Sequence, residues 1–129
     1  MRKNMPKEDF EQLVREAVNR IPDDFLAIME NVDIQVRCWP SEEQLANAME
    51  GTEAEEGGSL LGLYEGIPVT ERVNYNMVLP DIITIFQRPI ESICSTEDEI
   101  VEQVRTTVVH EVAHYFGITD AELEAWGVA

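Results

Sequence analysis

The sequence predicts an α+β fold, in a single domain spanning residues 1–129. Three features carry this reading. Close to the C-terminus a stripe of apolar residues repeats at helical spacing between a threonine and a glycine. Two segments, VDIQVRCW and LPDIITIFQRPI, have the composition of strands. Helical and extended segments also follow one another without the regular alternation that a doubly wound parallel sheet requires.

The elements follow in order. KEDFEQLVREAVNRIP reads as a helix, because Phe10, Leu13, Val14, Ala17 and Val18 share one face and Pro22 limits it. PDDFLAIMENV gives a short second helix, with Pro22 near its first turn and acids at its positive end. In VDIQVRCW, Val32, Ile34, Val36 and Cys38 alternate with Asp33, Gln35 and Arg37, which is a strand with one buried face. Ser41, followed by Glu42, Glu43 and Gln44, opens another short helix with a cap and a reciprocal amide. EGTEAEEGGS is acidic and glycine-rich, and is expected to be a mobile loop. LLGLYEGIPVTER is read as a strand and a turn at Gly66 to Pro68. LPDIITIFQRPI is read as a strand ended by Pro89, and its flanking prolines, Pro80 and Pro89, are compatible with an edge position. Thr96, followed by Glu97, Asp98 and Glu99, then caps a long helix. Its apolar stripe is Ile100, Val101, Val104, Val108, Val112 and Tyr115, and it stops at Gly117. A last short helix begins near Thr119 and carries Leu123 and Trp126.

Composition narrows the function. Nine Lys and Arg against 26 Asp and Glu give a net charge of −17, which repels nucleic acid and anionic membranes and excludes both as expected partners. No run approaches the length of a membrane span, and MRKNMPKEDF has no apolar core of a leader, so a soluble cytoplasmic protein is expected. Cys38 and Cys94 permit one disulfide at most. They are expected to be free thiols acting as small buried hydrophobes.

The chemistry concentrates in VVHEVAHYFGITDAELEAW. The chain has two histidines, and both lie here, at His110 and His114. On a helix, residues four apart share a face, so the two imidazoles address one point in space. Zinc takes neutral imidazole at about 2.0–2.1 Å and accepts two such ligands from one helical turn. Glu111 is rotated by one residue and lies beside the metal rather than on it. There it can accept a proton from metal-bound water as that water attacks a peptide carbonyl, and pass the proton to the leaving amine. H-E-x-x-H is therefore a metal platform with a general base. A catalytic zinc wants a third protein ligand. Gly117 permits the chain to reverse and Asp120 follows it, so Asp120 is preferred over Glu122 and Glu124 as that ligand. Thr119 and Glu122 also spell a capping box, which would make Asp120 a first-turn acid. Tyr115 is expected to be packed rather than catalytic, and Trp126 to anchor the last helix.

HEVAHYFGITD resembles the extended H-E-x-x-H-x-x-G-x-x-H/D pattern of the metzincin side of the zincin metallopeptidases. LLGLYEGIPVTER, LPDIITIFQRPIE and VRTTVVHEVAHYFGITD together resemble a family of small bacterial zincin-like proteins, strongly over the second half of the chain and weakly over the first. The resemblance implies a minimal zincin-like core with a small mixed sheet packed on the active-site helix, additional N-terminal helices, one Zn2+ per chain and a peptide or protein substrate. It implies that His110, His114 and Asp120 are the ligands and Glu111 the base. It also implies a substrate lying along an edge strand, for which DIITIFQRP is the candidate. The sequence ends shortly after Asp120, so neither a Met-turn nor a lower subdomain is expected. Three functions follow as expectations: a zinc-dependent peptidase, with short or unfolded peptides as one substrate class; a non-catalytic scaffold that binds a peptide or protein around a structural or vestigial metal; and, more weakly, metal-assisted hydrolysis of a non-peptide substrate.

Overall fold

A computed structural model describes residues 5–50, 60–66 and 79–127, the side chains of 47–50 excepted. Its elements are α1 (Lys7–Asn19), α2 (Asp23–Ile28), β1 (Val32–Arg37), α3 (Glu42–Glu50), β2 (Gly62–Glu65), β3 (Asp81–Phe86), α4 (Gln87–Ile93), α5 (Glu97–Phe116) and α6 (Asp120–Ala125). The expected acidic loop beyond Glu50 and the turn at Gly66 to Pro68 lie outside the described residues, apart from Gly66 itself.

Local signals set several helix ends. Thr96 accepts a hydrogen bond from the Glu99 N–H and starts α5. Gly117 ends it at φ 71°, and the Ile118 N–H returns 2.8 Å to the Ala113 carbonyl, closing a Schellman turn. Pro22 stands at the cap of α2, just before its first turn. Ser41 and Gln44 bond each other reciprocally, as their spacing suggested. α1 buries Phe10, Leu13, Val14 and Ala17 and packs against α5.

The sheet has three strands in the order β1-β3-β2. β3 pairs in parallel with β1, from Val32 opposite Asp81 to Arg37 opposite Phe86, and antiparallel with β2, from Gly62 opposite Ile85 to Glu65 opposite Ile82. This corrects the expectation that DIITIFQRP lies at an edge. β3 is the centre of the sheet, buried at Asp81 and from Ile83 to Phe86, with both backbone edges occupied. Pro80 and Pro89 do not forbid this, because both lie outside the ladder. The strand also ends earlier than expected, at Phe86, and α4 follows. Pro89 occupies its first turn, where a backbone N–H has no helical partner to lose.

Partners in register share a sheet face, so the rows Val36–Ile85–Gly62 and Ile34–Ile83–Tyr64 face one way. On that face they join Phe10, Phe25, Ile100, Val104 and Val108 in the main core. A second cluster, Leu60, Leu63 and Phe86, is buried separately. Leu123 brings α6 into the main core, and the Trp126 ring meets Phe25 edge-on at 5.7 Å.

A buried polar knot ties the segment before α1 to α4. Glu91 accepts hydrogen bonds from the Met5 N–H (3.2 Å), Gln87 Nε2 (3.0 Å) and Arg88 (2.7 Å). Burial raises its pKa, but the bonds from Gln87, Arg88 and Met5 outweigh that and hold the carboxyl below its ordinary value. On the surface, Arg20 joins α1 to α5 through Glu102 (2.8 Å) and Asp98 (3.2 Å).

The cysteines form no disulfide with each other. Cys94 is buried as expected, whereas Cys38 is exposed, because it lies just past the last residue of β1 and outside the packed face. No described helix is long and apolar enough to cross a membrane.

Candidate metal centre

α5 is the element that positions the site. It is twenty residues long and buries Val104, Thr107, Val108, Glu111 and Val112. His110 and His114 remain exposed, one turn apart on the same face. Glu111, rotated by about 100° from His110, is 3% exposed and points toward β2.

β2 runs alongside α5 in the same direction. An ideal Cβ on Gly62 would meet Thr107, the Tyr64 N–H donates to Glu111 Oε1 at 3.0 Å, and Gly66 lies against the Tyr115 ring. This ladder follows from two repeats that nearly coincide. Two residues of strand advance about 6.6 Å and four residues of helix about 6 Å. Every second strand residue thus meets every fourth helix residue. At Gly62 the approach is too close for any side chain: its Cβ would stand 2.6 Å from Thr107 Cγ2.

Tyr64 is the site residue that the sequence did not single out. Its backbone holds Glu111, and its hydroxyl donates to buried Asp81 at 2.6 Å. Its ring stacks on Tyr115 with centroids 4.0 Å apart, and Phe116 sits edge-on to both rings. The spacing G-L-Y-E-G carried a signal, since glycine inside a strand marks close approach of another backbone or helix. Tyr115 is 51% exposed, so it is a surface stacking residue rather than a packed one.

Asp120 is exposed in the first turn of α6, with Thr119 as its N-cap. The Thr119–Glu122 capping box is formed in both directions. Hydrogen bonds from the Thr119 backbone and side chain hold the Glu122 carboxyl below its ordinary pKa. Glu122 is therefore engaged in capping, and Glu124 is exposed on the same short helix. Among the described residues, no three His, Cys, Asp or Glu side chains are grouped closely enough to hold a metal ion. His110, His114 and Glu111 share one turn of α5, and Asp120 does not close a three-ligand group with the histidines.

A family model for zincin-like metallopeptidases matches residues 29–128. The chain belongs to that zincin-like family. The fold is also similar to a solved structure described as a conserved hypothetical protein from Thermo thermophilus. The two share 18% identity and a TM-score of 0.52, over 87% of this chain and 94% of the other. No curated protein matches the chain.

Proposed function

We propose that this chain is a zinc-dependent peptidase in which His110 and His114 hold the metal and Glu111 is the general base. The observation that carries this is the arrangement of one helical turn. Two exposed imidazoles share a face, and the carboxylate between them in sequence is turned inward and anchored on β2. The donor set fits a divalent ion of intermediate softness, because imidazole suits zinc. Asp120 is the proposed third ligand, and the family's character supports it.

Zinc held there would supply Lewis acidity toward a water and a substrate carbonyl. The chain's own residues do the rest. The neutral imidazoles supply lone pairs. The Tyr64 N–H fixes one Glu111 oxygen and so limits the rotation of the base, which accepts the proton from the attacking water and returns it to the leaving amine. Among the described residues β2 is the sheet edge that borders α5, and it replaces β3 as the strand against which an extended peptide can lie.

The test is metal analysis paired with digestion of a peptide library. Glu111→Gln is expected to keep stoichiometric zinc and lose hydrolysis by about 10²–10⁴-fold. His110→Ala and His114→Ala are expected to lose the zinc. Undiminished cleavage by Glu111→Gln rejects the mechanism. A second reading, a zincin scaffold that binds peptide without cleaving it, is favoured by the engagement of Glu111 with the Tyr64 N–H. A stoichiometric zinc whose removal destabilises the fold, with no cleavage of any library peptide, selects that reading.

A further inference from the structure

The outer edge of β1 lies away from the candidate metal centre, at the opposite side of the sheet from β2. The Asp81 N–H donates to the Asn31 carbonyl. In a parallel ladder the backbone groups of alternate residues face the neighbour, so those of Asp33, Gln35 and Arg37 face β3 as well. The N–H and C=O groups of Ile34 and Val36 therefore face outward. Among the described residues, no strand pairs with that edge. A groove of about 340 Å³ runs beside it, with Val14 and Val18 of α1 on one wall and Ile34 and Val36 on the other. Arg37 is exposed and has no carboxylate partner among the described residues, in a chain with 26 acids.

We infer that β1 is a dimer interface, pairing antiparallel with β1 of a second copy about a two-fold axis through Gln35. The two three-stranded sheets then become one. In this register Ile34 faces the second copy's Val36 and Asp33 faces its Arg37. The register is self-complementary in backbone, charge and shape. Outward-facing residues meet outward-facing residues, so Ile34 and Val36 form hydrogen-bonded pairs. Asp33 and Arg37 fall at the other kind of pair, where side chains approach most closely, and two opposite-charge pairs form. The side chains of Ile34 and Val36 from each copy emerge on the sheet face that borders the apolar groove of the other. Moving the axis to Ile34 sets Asp33 against Gln35 and Arg37 against Asn31. Moving it to Val36 sets Asp33 against Trp39. Either shift loses both ion pairs. The interface is isologous and closes at two copies, which also removes an exposed strand edge. A net charge of −17 on each copy opposes association, so matched charges at the point of contact decide the register.

The experiment is sedimentation equilibrium of the full chain at near-physiological salt, from roughly 1 μM to 1 mM, the range in which interfaces of modest area associate. The wild type is expected to show a monomer–dimer equilibrium. Arg37→Asp places like charges opposite each other twice, and is expected to weaken dimerisation by roughly tenfold or more. The double variant D33R/R37D restores the opposite-charge pairs with reversed sign, and is expected to recover most of the wild-type affinity. Both positions are exposed, and far-UV circular dichroism checks that each variant folds. A wild type that stays monomeric across the range overturns the inference. So does a dimer indifferent to Arg37→Asp, or a double variant no tighter than the single one.

Discussion

Replacing Gly62 with alanine tests whether β2 and α5 approach as closely as the site requires. The added Cβ would stand 2.6 Å from Thr107 Cγ2, 3.2 Å from the Thr84 carbonyl oxygen and 3.3 Å from Ile85 Cδ1. Carbon atoms normally rest about 3.5–4.0 Å apart, so the methyl contact alone demands a displacement near 1 Å. Thr107 cannot simply rotate away. Its hydroxyl accepts a hydrogen bond from Gln103 at 3.2 Å, and its branched side chain is stiff on a helix. Overpacking of this kind costs about 1–3 kcal/mol. Alanine recovers about 0.5–1 kcal/mol of the glycine penalty in a strand, leaving a net loss of up to about 2.5 kcal/mol. The assay is equilibrium unfolding in urea, for the wild type, Gly62→Ala, Thr107→Ser and the pair. Serine keeps the hydroxyl and removes the clashing methyl, so the double variant is expected to be at least about 1 kcal/mol more stable than the sum of the single effects. A coupling below about 0.5 kcal/mol would refute the close approach, and with it the helix–strand ladder that anchors Glu111.

Three further outcomes are expected. Gly117→Ala meets nothing within 4 Å, so its cost is the backbone cost of φ 71° alone, about 1–2 kcal/mol in the same urea assay; a neutral substitution would mean that α5 ends differently. Glu91 has its folded pKa depressed, so its contribution is present above the ordinary value of 4.5 and lost as pH falls through the folded value. Glu91→Gln is expected to cost about 1–3 kcal/mol at pH 7 and to flatten the loss of stability below pH 4.5, as read by unfolding at a series of pH values. Free zinc at a hundredfold excess over its dissociation constant should stabilise the wild type by about 2.7 kcal/mol and leave His114→Ala unmoved, which differential scanning fluorimetry can follow.

The pattern of what the chain disclosed is physical. The beginning and end of α5 were legible at Thr96 and Gly117, because a cap and a left-handed turn are made by residues within a turn of one another. The Thr119–Glu122 box was legible for the same reason. The face shared by His110 and His114 needed only the helix repeat. The position of β3 was not legible. Its flanking prolines were compatible with an edge but fall outside the ladder, and the choice between edge and centre rests on β1 and β2, whose pairing partners are distant in sequence. α4 was hidden because Pro89 ends strands and is equally at home in a helix's first turn. Cys38 continued an alternating pattern that the strand itself did not follow to its end.

Residues close together in the chain were enough to establish the α+β class, the limits of the long helix and the pair of imidazoles on one of its faces. Each of these depends on hydrogen bonds and repeats that close within a few residues. Long-range packing was needed to turn Glu111 inward to the Tyr64 N–H and to set β3 between its neighbours. Those outcomes depend on which distant segments share a surface, and that is settled by packing the whole chain around one core rather than by any local run of residues.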